Sequence, residues 1–370
     1  MQQYLNLLKQ IKEKGTWKEP AREGMPRTLS LFGYQMRFNL QEGFPLVTTK
    51  PVSFKNIVVE LLWFMKGDTN IKFLVDNGCN IWNEDAYNYY KKMAGNSHTL
   101  LSFENFISYI KKGGDYLKDH LPFTKPDYIL GDCGKQYGWL WRSWDKYNKS
   151  IDPYDEIEEI YEDDSIDQLK DLIEGLKSNP MSRRHIITAW NPATLDDMAL
   201  NACHSFVQFN CRPLRFGERI DLYAKSMRGR IDTTDFKTHE SYDKRGVPKY
   251  YLDCKFTMRS NDAVIGNCYN VASYALLTHI IAKICNMEVG DLIADLGDVH
   301  IYENHLDAVN EQLEREPKEL PKLDMSNLED DFEYLLLEGG LNYNYLVERL
   351  DSYNPHPKLK NPTPLSTGLK

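Results

Sequence analysis

Cysteine is scarce in this chain, with seven residues among 370. No two cysteines form a Cys-x-x-Cys pair, and no spacing of cysteine and histidine matches a zinc site. A small, odd number of cysteines also argues against a disulfide framework. We therefore expect reduced thiols, no metal, and a cytoplasmic location, which is the host cytoplasm if the protein is viral.

Long apolar runs are missing as well. The longest, residues 271–285, contains serine, threonine, histidine and lysine. It is shorter than the roughly 20 residues that a membrane span needs, so it predicts a buried core helix. The N-terminus has no signal-peptide pattern; Tyr4, Leu5, Leu8 and Ile11 share one side of an amphipathic helix instead. We expect no membrane partner.

Positive charge is outnumbered, with 45 lysines and arginines against 54 aspartates and glutamates and a net charge of −9. A non-specific nucleic-acid binder needs a basic face, so we expect no nucleic-acid partner. A local group of arginines around a small anion remains compatible with this balance. The 42% hydrophobic and 12% aromatic content predicts a globular protein with a substantial core.

Polar stretches interrupt the core-like segments of the chain. With no internal repeat, this alternation indicates one domain, residues 1–370, decorated by insertions, rather than two domains in series. The insertions are predicted near residues 83–128, 146–164, 214–249 and 325–344.

Hydrophobic periodicity predicts the regular elements. Ile57, Val58, Leu61, Leu62 and Met65 share one face of a helix within residues 55–78. Residues 28–40 alternate, which indicates two strands with a turn near Gly33. The other predicted elements are a loop over residues 16–27, a helix over residues 167–177, and strands from His185, after Cys203 and over residues 251–262.

The segment MALNACHSFVQFNC contains a Cys-His pair at the start of a predicted strand. A cysteine there is most often a small core hydrophobe. A reactive cysteine needs positive charge or a helix dipole nearby, because the thiolate is the nucleophile. Adjacent strand residues point to opposite faces, so His204 is badly placed as a base for Cys203. This argues against a Cys-His hydrolase.

Arginines stand beside small hydroxyls in Ser182-Arg183-Arg184 and in Arg259-Ser260. Each arginine alone is most often a solvated surface charge. A guanidinium and a hydroxyl together suit a phosphate group, so these positions are candidates for an anion site.

Two further segments contain polar residues at positions that suit a ligand. Asn270 stands near the start of the predicted core helix, where it is either a helix cap or a ligand for the edge of a base. In LGDVHIYENH, Asp298, His300 and Tyr302 share one strand face. His300 with His305 leaves a metal site as a minor alternative, because no matching cysteine or carboxylate pattern accompanies them.

Several motifs in order resemble the thymidylate synthase superfamily over most of the chain outside the insertions. The resemblance implies an α+β fold with a large twisted mixed sheet packed with helices, and with the sheets back to back in a homodimer. The motifs are LSLFGYQMRFNLQEGFPLVTTK, ELLWFMKGDTNI, IWNEDA, GKQYGWLWRSW, SRRHIITAWNP, MALNACHSFVQF, MRSNDAVIGNCYNVASYALLTHI, GDVHIYENH and YNPHP.

The resemblance also implies the chemistry. Cys203 would add to C6 of dUMP, and C5 would then attack the one-carbon unit of the cosubstrate 5,10-methylenetetrahydrofolate. Glu60 would move protons through water, with Tyr137 and His204 lining the site. Asn270 indicates uracil, because relatives that act on cytosine carry aspartate there.

The remaining site residues follow from the matched motifs. For the nucleotide they are Arg259 and Ser260, with Arg183 and Arg184 from the other subunit, either Arg22 or Arg27 as a loop arginine, His300 and Tyr302 at the deoxyribose, and Gln208. For the folate they are Lys50, Trp82, Leu200, Asp262, Gly266 and Tyr269.

The product is the open question. Thymidylate synthases complete the reaction by hydride transfer from the folate, whereas hydroxymethylase relatives let water capture the methylene. Departures from ordinary synthases favour a phage-type dUMP hydroxymethylase that yields 5-hydroxymethyl-dUMP and tetrahydrofolate, with a thymidylate synthase as the alternative. They are Met258, Asn261, Trp139, Ala202, Asn201, Asn267-Cys268-Tyr269, Asp85 and the polar tail TPLSTGLK.

A non-catalytic binding protein is the other alternative. The presence of Cys203, Glu60, Tyr137, Asn270 and the arginines argues against it.

Overall fold

The fold is known from a computed structural model of the chain. The structure describes residues 1–20, 24–95, 100–113, 128–146, 165–226, 238–326, 328 and 343–360. Arg22, most of the two stretches predicted as insertions at 146–164 and 325–344, and the tail TPLSTGLK lie outside the described residues.

Helices make up much of the described chain. Their bounds are α1 Gln2–Lys14, α2 Phe54–Met65, α3 Lys72–Asp76, α4 Asn83–Ala94, α5 Phe103–Lys112, α6 Tyr137–Arg142, α7 Gln168–Ser178, α8 Phe216–Ser226, α9 His239–Asp243, α10 Gly266–Ile284, α11 Leu306–Leu313 and α12 Tyr343–Val347. Within the described residues, none of these helices is both long and apolar enough to span a membrane.

Among the described residues, six strands form one large mixed sheet, and four short strands form two separate pairs. The strands are β1 Thr16–Lys18, β2 Thr28–Asn39, β3 Trp144–Asp145, β4 Ser165–Ile166, β5 Ile186–Thr188, β6 His204–Pro213, β7 Tyr250–Asp262, β8 Glu288–Tyr302, β9 Lys322–Leu323 and β10 Leu350–Asp351. The large sheet has the order β1-β2-β8-β7-β6-β5, with β7 and β8 parallel and every other pair antiparallel. The predicted α+β class with a mixed sheet packed with helices is confirmed.

The core lies where α10 packs against β7 and β8. Nearly every side chain of α10 is buried, as the apolar run in residues 271–285 predicts. The predicted apolar face of α1 is also confirmed, because Tyr4, Leu5, Leu8 and Ile11 are all buried.

Two predictions about element boundaries were wrong. Residues 28–39 form the single strand β2, because Gly33 adopts a φ of 83° and bends the strand without reversing it. The predicted helix within residues 55–78 is two helices, α2 and α3. Gly67, with a φ of 72°, ends the first, and its Cα lies so close to Arg142 that a side chain would not fit.

The stretches predicted as insertions contain regular structure where they are described. Helices α4 and α5 lie in residues 83–128, and α8 and α9 lie in residues 214–249. The loop predicted before residue 28 contains the short edge strand β1.

Candidate active site

Cys203 lies one residue before β6, at the edge of the sheet, as its motif predicts. The residue is half-buried. Its backbone N–H donates a 2.7 Å hydrogen bond to the hydroxyl of Tyr137, at the first turn of α6. The backbone of Cys203 is therefore held from a second element, which orients the thiol independently of the strand.

Arg259 lies on β7, beside β6, and its side chain wraps around the segment that carries the thiol. Nε donates to the carbonyl of Ala202 and Nη2 to that of Asn201, both at 2.8 Å. Nη2 also lies 3.9 Å from the Cys203 Sγ. A guanidinium at this distance stabilises a thiolate, so the structure supplies the positive charge that a reactive cysteine needs.

His204 turns away from the thiol. Its ring stacks on that of Tyr137, with centroids 3.8 Å apart and planes 2° from parallel. Its Nδ1 lies 2.8 Å from the hydroxyl of Tyr274, a partner that the sequence did not indicate. Burial lowers the pKa of His204 to about 3, so the ring is neutral and supports the site by packing and hydrogen bonding.

Glu60 extends from α2 toward Trp82, the residue that precedes α4. Trp82 donates its indole N–H to a carboxylate oxygen of Glu60 at 2.8 Å. Burial raises the pKa of Glu60 to about 7, and the bond from Trp82 opposes that rise. A carboxyl that titrates near neutral pH can both take and release a proton.

Asn270 lies in the second turn of α10, which begins at Gly266. The alternative that Asn270 is a helix cap was therefore wrong. Its Oδ1 accepts a 3.3 Å hydrogen bond from Nδ2 of Asn261, which ends the buried part of β7. Asn261 in turn accepts a 2.8 Å hydrogen bond from Nδ2 of Asn267 and directs its own Nδ2 to the sulfur of Met258 at 3.1 Å.

Asp262 and Lys50 meet at the turn between β7 and α10. Oδ1 of Asp262 accepts the backbone N–H groups of Val264 and Ile265, at 2.8 and 3.2 Å. Lys50 is buried and donates to the Val264 carbonyl. Both predicted folate residues are thus brought together, at the turn that leads into Gly266 of α10.

His300 and Tyr302 share one face of β8, as predicted, with ring centroids 5.1 Å apart. His300 pairs with Asp262 of β7 across the sheet, and its Nδ1 lies 3.3 Å from Asp298. Asp298 also accepts a 2.6 Å hydrogen bond from Ser30. His300 comes first among the contacts that lower the pKa of Asp298.

Arg183, Arg184 and Gln208 are not brought to the thiol of their own chain. Gln208 is five residues along β6 from Cys203, which corresponds to about 16 Å. It donates to the Arg183 carbonyl at 3.2 Å, and both arginine side chains are exposed. The strand that follows these arginines pairs Ile186 with Gln208, so the arginines lie still farther from Cys203.

Arg27, one of the two candidates for the loop arginine, is an ion-pair partner of Glu303 and lies over the ring of Trp17. The other candidate, Arg22, is outside the described residues. Ser260 follows Arg259 on β7 and is half-buried.

The folate-side candidates Leu200 and Tyr269 lie near the residues already described. The Leu200 carbonyl accepts a 2.9 Å hydrogen bond from Gln136, which precedes Tyr137. Tyr269 follows the first turn of α10, and its pKa is raised mainly by burial, with a smaller contribution from Glu60. The site therefore extends from Cys203 to Glu60.

Sequence reasoning missed the roles of Tyr274 and Asn261. Tyr274 lies within the apolar run, which hides its polar hydroxyl. Only its spacing, four residues after Asn270, could have indicated that the two side chains lie on the same side of α10. For Asn261, the sequence indicates only that the residue differs from the family pattern. In the described part of the chain no three histidine, cysteine or acidic side chains form a group that could hold a metal ion.

Comparison with known proteins supports the resemblance. A family model described as "Thymidylate synthase" matches residues 2–364. The chain is 37% identical to a thymidylate synthase of Listeria monocytogenes serotype 4a, over 98% of this chain and 99% of the relative. It is 38% identical to a thymidylate synthase of Listeria innocua serovar 6a, over the same shares of the two chains.

Proposed function

The chain belongs to the thymidylate synthase family, and from that premise we propose that it is a thymidylate synthase that converts dUMP and 5,10-methylenetetrahydrofolate to dTMP and dihydrofolate. The observation that carries this proposal is the arrangement around Cys203, with the Arg259 guanidinium 3.9 Å from its sulfur and the Tyr137 hydroxyl on its backbone N–H. The catalytic unit of the proposal is one domain covering residues 1–370.

In this proposal Cys203 attacks C6 of the uracil ring as the thiolate that Arg259 stabilises. The electron pair that reaches C5 forms a bond to the one-carbon unit of the folate cosubstrate. Loss of the C5 proton then breaks the bond between the one-carbon unit and the folate nitrogen, which leaves an exocyclic methylene on the ring. Hydride from the tetrahydrofolate ring adds to this methylene to give the methyl group, and Cys203 leaves as a thiolate when the C5–C6 double bond forms again. The folate is thereby oxidised to dihydrofolate.

Glu60 is the group that we propose for proton transfer, because its pKa of about 7 suits both directions of transfer. His204 is too weak a base for this role, with a pKa of about 3. It keeps Tyr137 in place by stacking, and Tyr137 in turn supports the Cys203 backbone.

The nucleotide and folate positions are proposed from the matched motifs. Arg259 and Ser260 would hold the phosphate, His300 and Tyr302 the deoxyribose, and Asn270 the uracil edge. Trp82, Leu200, Asp262, Gly266, Tyr269 and Lys50 would line the folate side. Gln208 is dropped from this set, because the strand register separates it from Cys203 by about 16 Å.

Arg183 and Arg184 require a second subunit in this proposal. Their own chain holds them too far along the sheet from Cys203 for direct contact with the same nucleotide. We therefore propose a homodimer in which these arginines reach the partner's site.

A hydroxymethylase of bacteriophage origin is not the main proposal. The relatives are named thymidylate synthases. Three of the departures, Met258, Asn261 and Asn267, form one hydrogen-bonded group with Asn270. They therefore belong with base recognition and do not argue for water at the methylene.

One observation still favours the hydroxymethylase as a second candidate. Trp139, another departure, has a buried indole N–H for which the described residues provide no hydrogen-bond partner. Trp139 lies two residues after Tyr137 on α6. A buried donor without a protein partner is a position where a water molecule is often held.

One incubation separates the two candidates. Purified protein with dUMP and methylenetetrahydrofolate is expected to yield a nucleotide that has gained a methyl group, together with one dihydrofolate per nucleotide. A hydroxymethyl mass without dihydrofolate would support the second candidate instead. Cys203→Ala should abolish either conversion, while Cys285→Ala, a change at another half-buried cysteine, should retain it. No conversion by the unmodified protein would contradict both and favour a binding protein.

A further inference from the structure

An asparagine amide can form hydrogen bonds with either uracil or cytosine, depending on its orientation. With its N–H₂ toward the exocyclic position it complements O4 and N3–H of uracil. Rotated by half a turn, it complements the amino group and bare N3 of cytosine. Asn270 alone therefore does not define the base, and something else must hold its amide in one orientation.

Asn261 lies where it can do so. It is 2% exposed, and its Nδ2 donates to Oδ1 of Asn270 at 3.3 Å. If the Asn270 amide rotated, two N–H₂ groups would face each other, and the one on Asn261 is buried. A buried donor without an acceptor is unfavourable, because nothing replaces the hydrogen bond that it made to water in the unfolded chain. Rotation of the Asn270 amide is therefore disfavoured as long as Asn261 keeps its own orientation.

Two neighbours hold Asn261 in turn. Its Oδ1 accepts from Asn267 at 2.8 Å, and its Nδ2 lies 3.1 Å from the sulfur of Met258. Asn267 is itself an amide and could rotate together with Asn261. Met258 has no such freedom, because a thioether sulfur offers only a weak acceptor and never a donor. The Met258 sulfur therefore favours one orientation of the three linked amides, those of Asn261, Asn267 and Asn270.

We propose that Asn261, oriented by Met258, is a positioning residue that locks the Asn270 amide for uracil and against cytosine. The inference rests on the proposed function, since it assumes that Asn270 meets the base. It assigns to β7 of this chain a role in selecting the base, although the side chain that would touch the base is on α10.

The test measures binding of dUMP and dCMP separately, without folate, for the unmodified protein and for Asn261→Asp and Met258→Leu. Asn261→Asp keeps the shape but presents only acceptors, so the Asn270 amide should rotate. We expect the ratio of the dCMP to the dUMP dissociation constant to fall by about tenfold to a hundredfold. Met258→Leu conserves volume and removes only the sulfur, so the ratio should fall severalfold while folding is retained.

Asn191→Asp is the matched control. Asn191 is also a buried asparagine, and its Oδ1 accepts the backbone N–H of Ala193, a bond that an aspartate can keep. The ratio should not change in this variant. A loss of stability without a change in the ratio in both test variants would overturn the lock while leaving the proposed function intact. Failure of the unmodified protein to bind either nucleotide would overturn the proposed function, and the lock with it.

Discussion

The indole N–H of Trp82 donates a 2.8 Å hydrogen bond to the carboxylate of Glu60, which joins α2 to the start of α4. Burial alone would push the pKa of this carboxyl upward, and the bond from Trp82 works against that push. The result is a pKa of about 7. Burial and this contact together thus set the range of pH in which Glu60 can exchange a proton.

Replacing Trp82 by phenylalanine should move the titration of Glu60 to higher pH. The substitution keeps an aromatic ring but removes the donor that stabilises the carboxylate, and such a bond contributes about 1.5–3 kcal/mol. The inflection of turnover against pH that reports Glu60 should rise by about one unit. Trp63→Phe is the control, because Trp63 packs on Trp82 but donates to the Asn70 carbonyl. An unshifted profile in Trp82→Phe would mean that Glu60 does not limit turnover.

Glu60→Gln should make the protein more stable at high pH. The folded-state pKa of Glu60 is raised, so the carboxyl stabilises the fold when protonated, and this stability is lost as the pH rises from about 4.5 to about 7. Above that window the glutamine variant should unfold with a free energy larger by about 3 kcal/mol, and below it the difference should vanish. Urea titrations at about pH 4 and about pH 8 measure the two values. Equal gains at both pH values would show that the effect is not ionisation.

Arg259→Gln should slow the reaction of Cys203 with iodoacetamide. The variant removes the positive charge that lies 3.9 Å from the thiol, and the thiolate is the reactive form. Alkylation at neutral pH, followed on the Cys203 peptide by mass spectrometry, should slow by about tenfold. Arg212→Gln, which removes an arginine from the opposite end of β6 where it binds Asp253, is the control. Equal alkylation rates in the two variants would contradict the role given to Arg259.

Gly297→Ala should displace β7 and with it the site residues that β7 carries. A Cβ on Gly297 would lie 2.9 Å from the carbonyl oxygen of Arg259 and 3.0 Å from that of Met258, so β7 must shift. We expect a loss of about 1–3 kcal/mol in unfolding free energy and at least a tenfold fall in turnover. Gly33, which is opposite Gly297 on β2, has a φ of 83° and open space around it. Gly33→Ala should therefore cost about 1 kcal/mol of strain and little turnover.

Arg219→Met should destabilise the stretch that contains α8 and α9. The guanidinium is 2% exposed and donates to Asp243 at 2.7 Å and to the Val247 and Pro248 carbonyls. Removing it leaves the Val247 and Pro248 carbonyls without this donor, while Asp243 keeps its ion pair with Lys249, and the cost should be about 3 kcal/mol. Arg215→Met, at a largely exposed position on the same stretch, should cost about 0.5 kcal/mol or less. Thermal unfolding would measure this loss. A melting temperature of Arg219→Met equal to that of the unmodified protein would contradict the stabilising role of Arg219.

The local elements were largely readable from the sequence, because their patterns repeat over many residues. The amphipathic face of α1, the buried helix α10 and the strand after Cys203 all follow from hydrophobic periods that the structure confirms. The two errors in element boundaries fell on single glycines. Periodicity does not report whether Gly33 bends a strand or reverses it, and the answer depended on the pairing of β2 with β8 on both sides of that glycine.

The sequence by itself also determined the family and the candidate site residues, because ordered motifs specify which side chains occur and in what order. It did not determine what those side chains touch. Met258 and Asn261 on β7 and Asn267 on α10 read as separate departures from a pattern, yet in the fold they form one hydrogen-bonded group around Asn270. The pKa of Glu60 and the surroundings of Cys203 likewise depend on Trp82 and Arg259, which come from other elements. Hydrogen bonds, burial and charge act over a few ångströms in space, and only the packing of strands and helices brings residues so distant in sequence within that range.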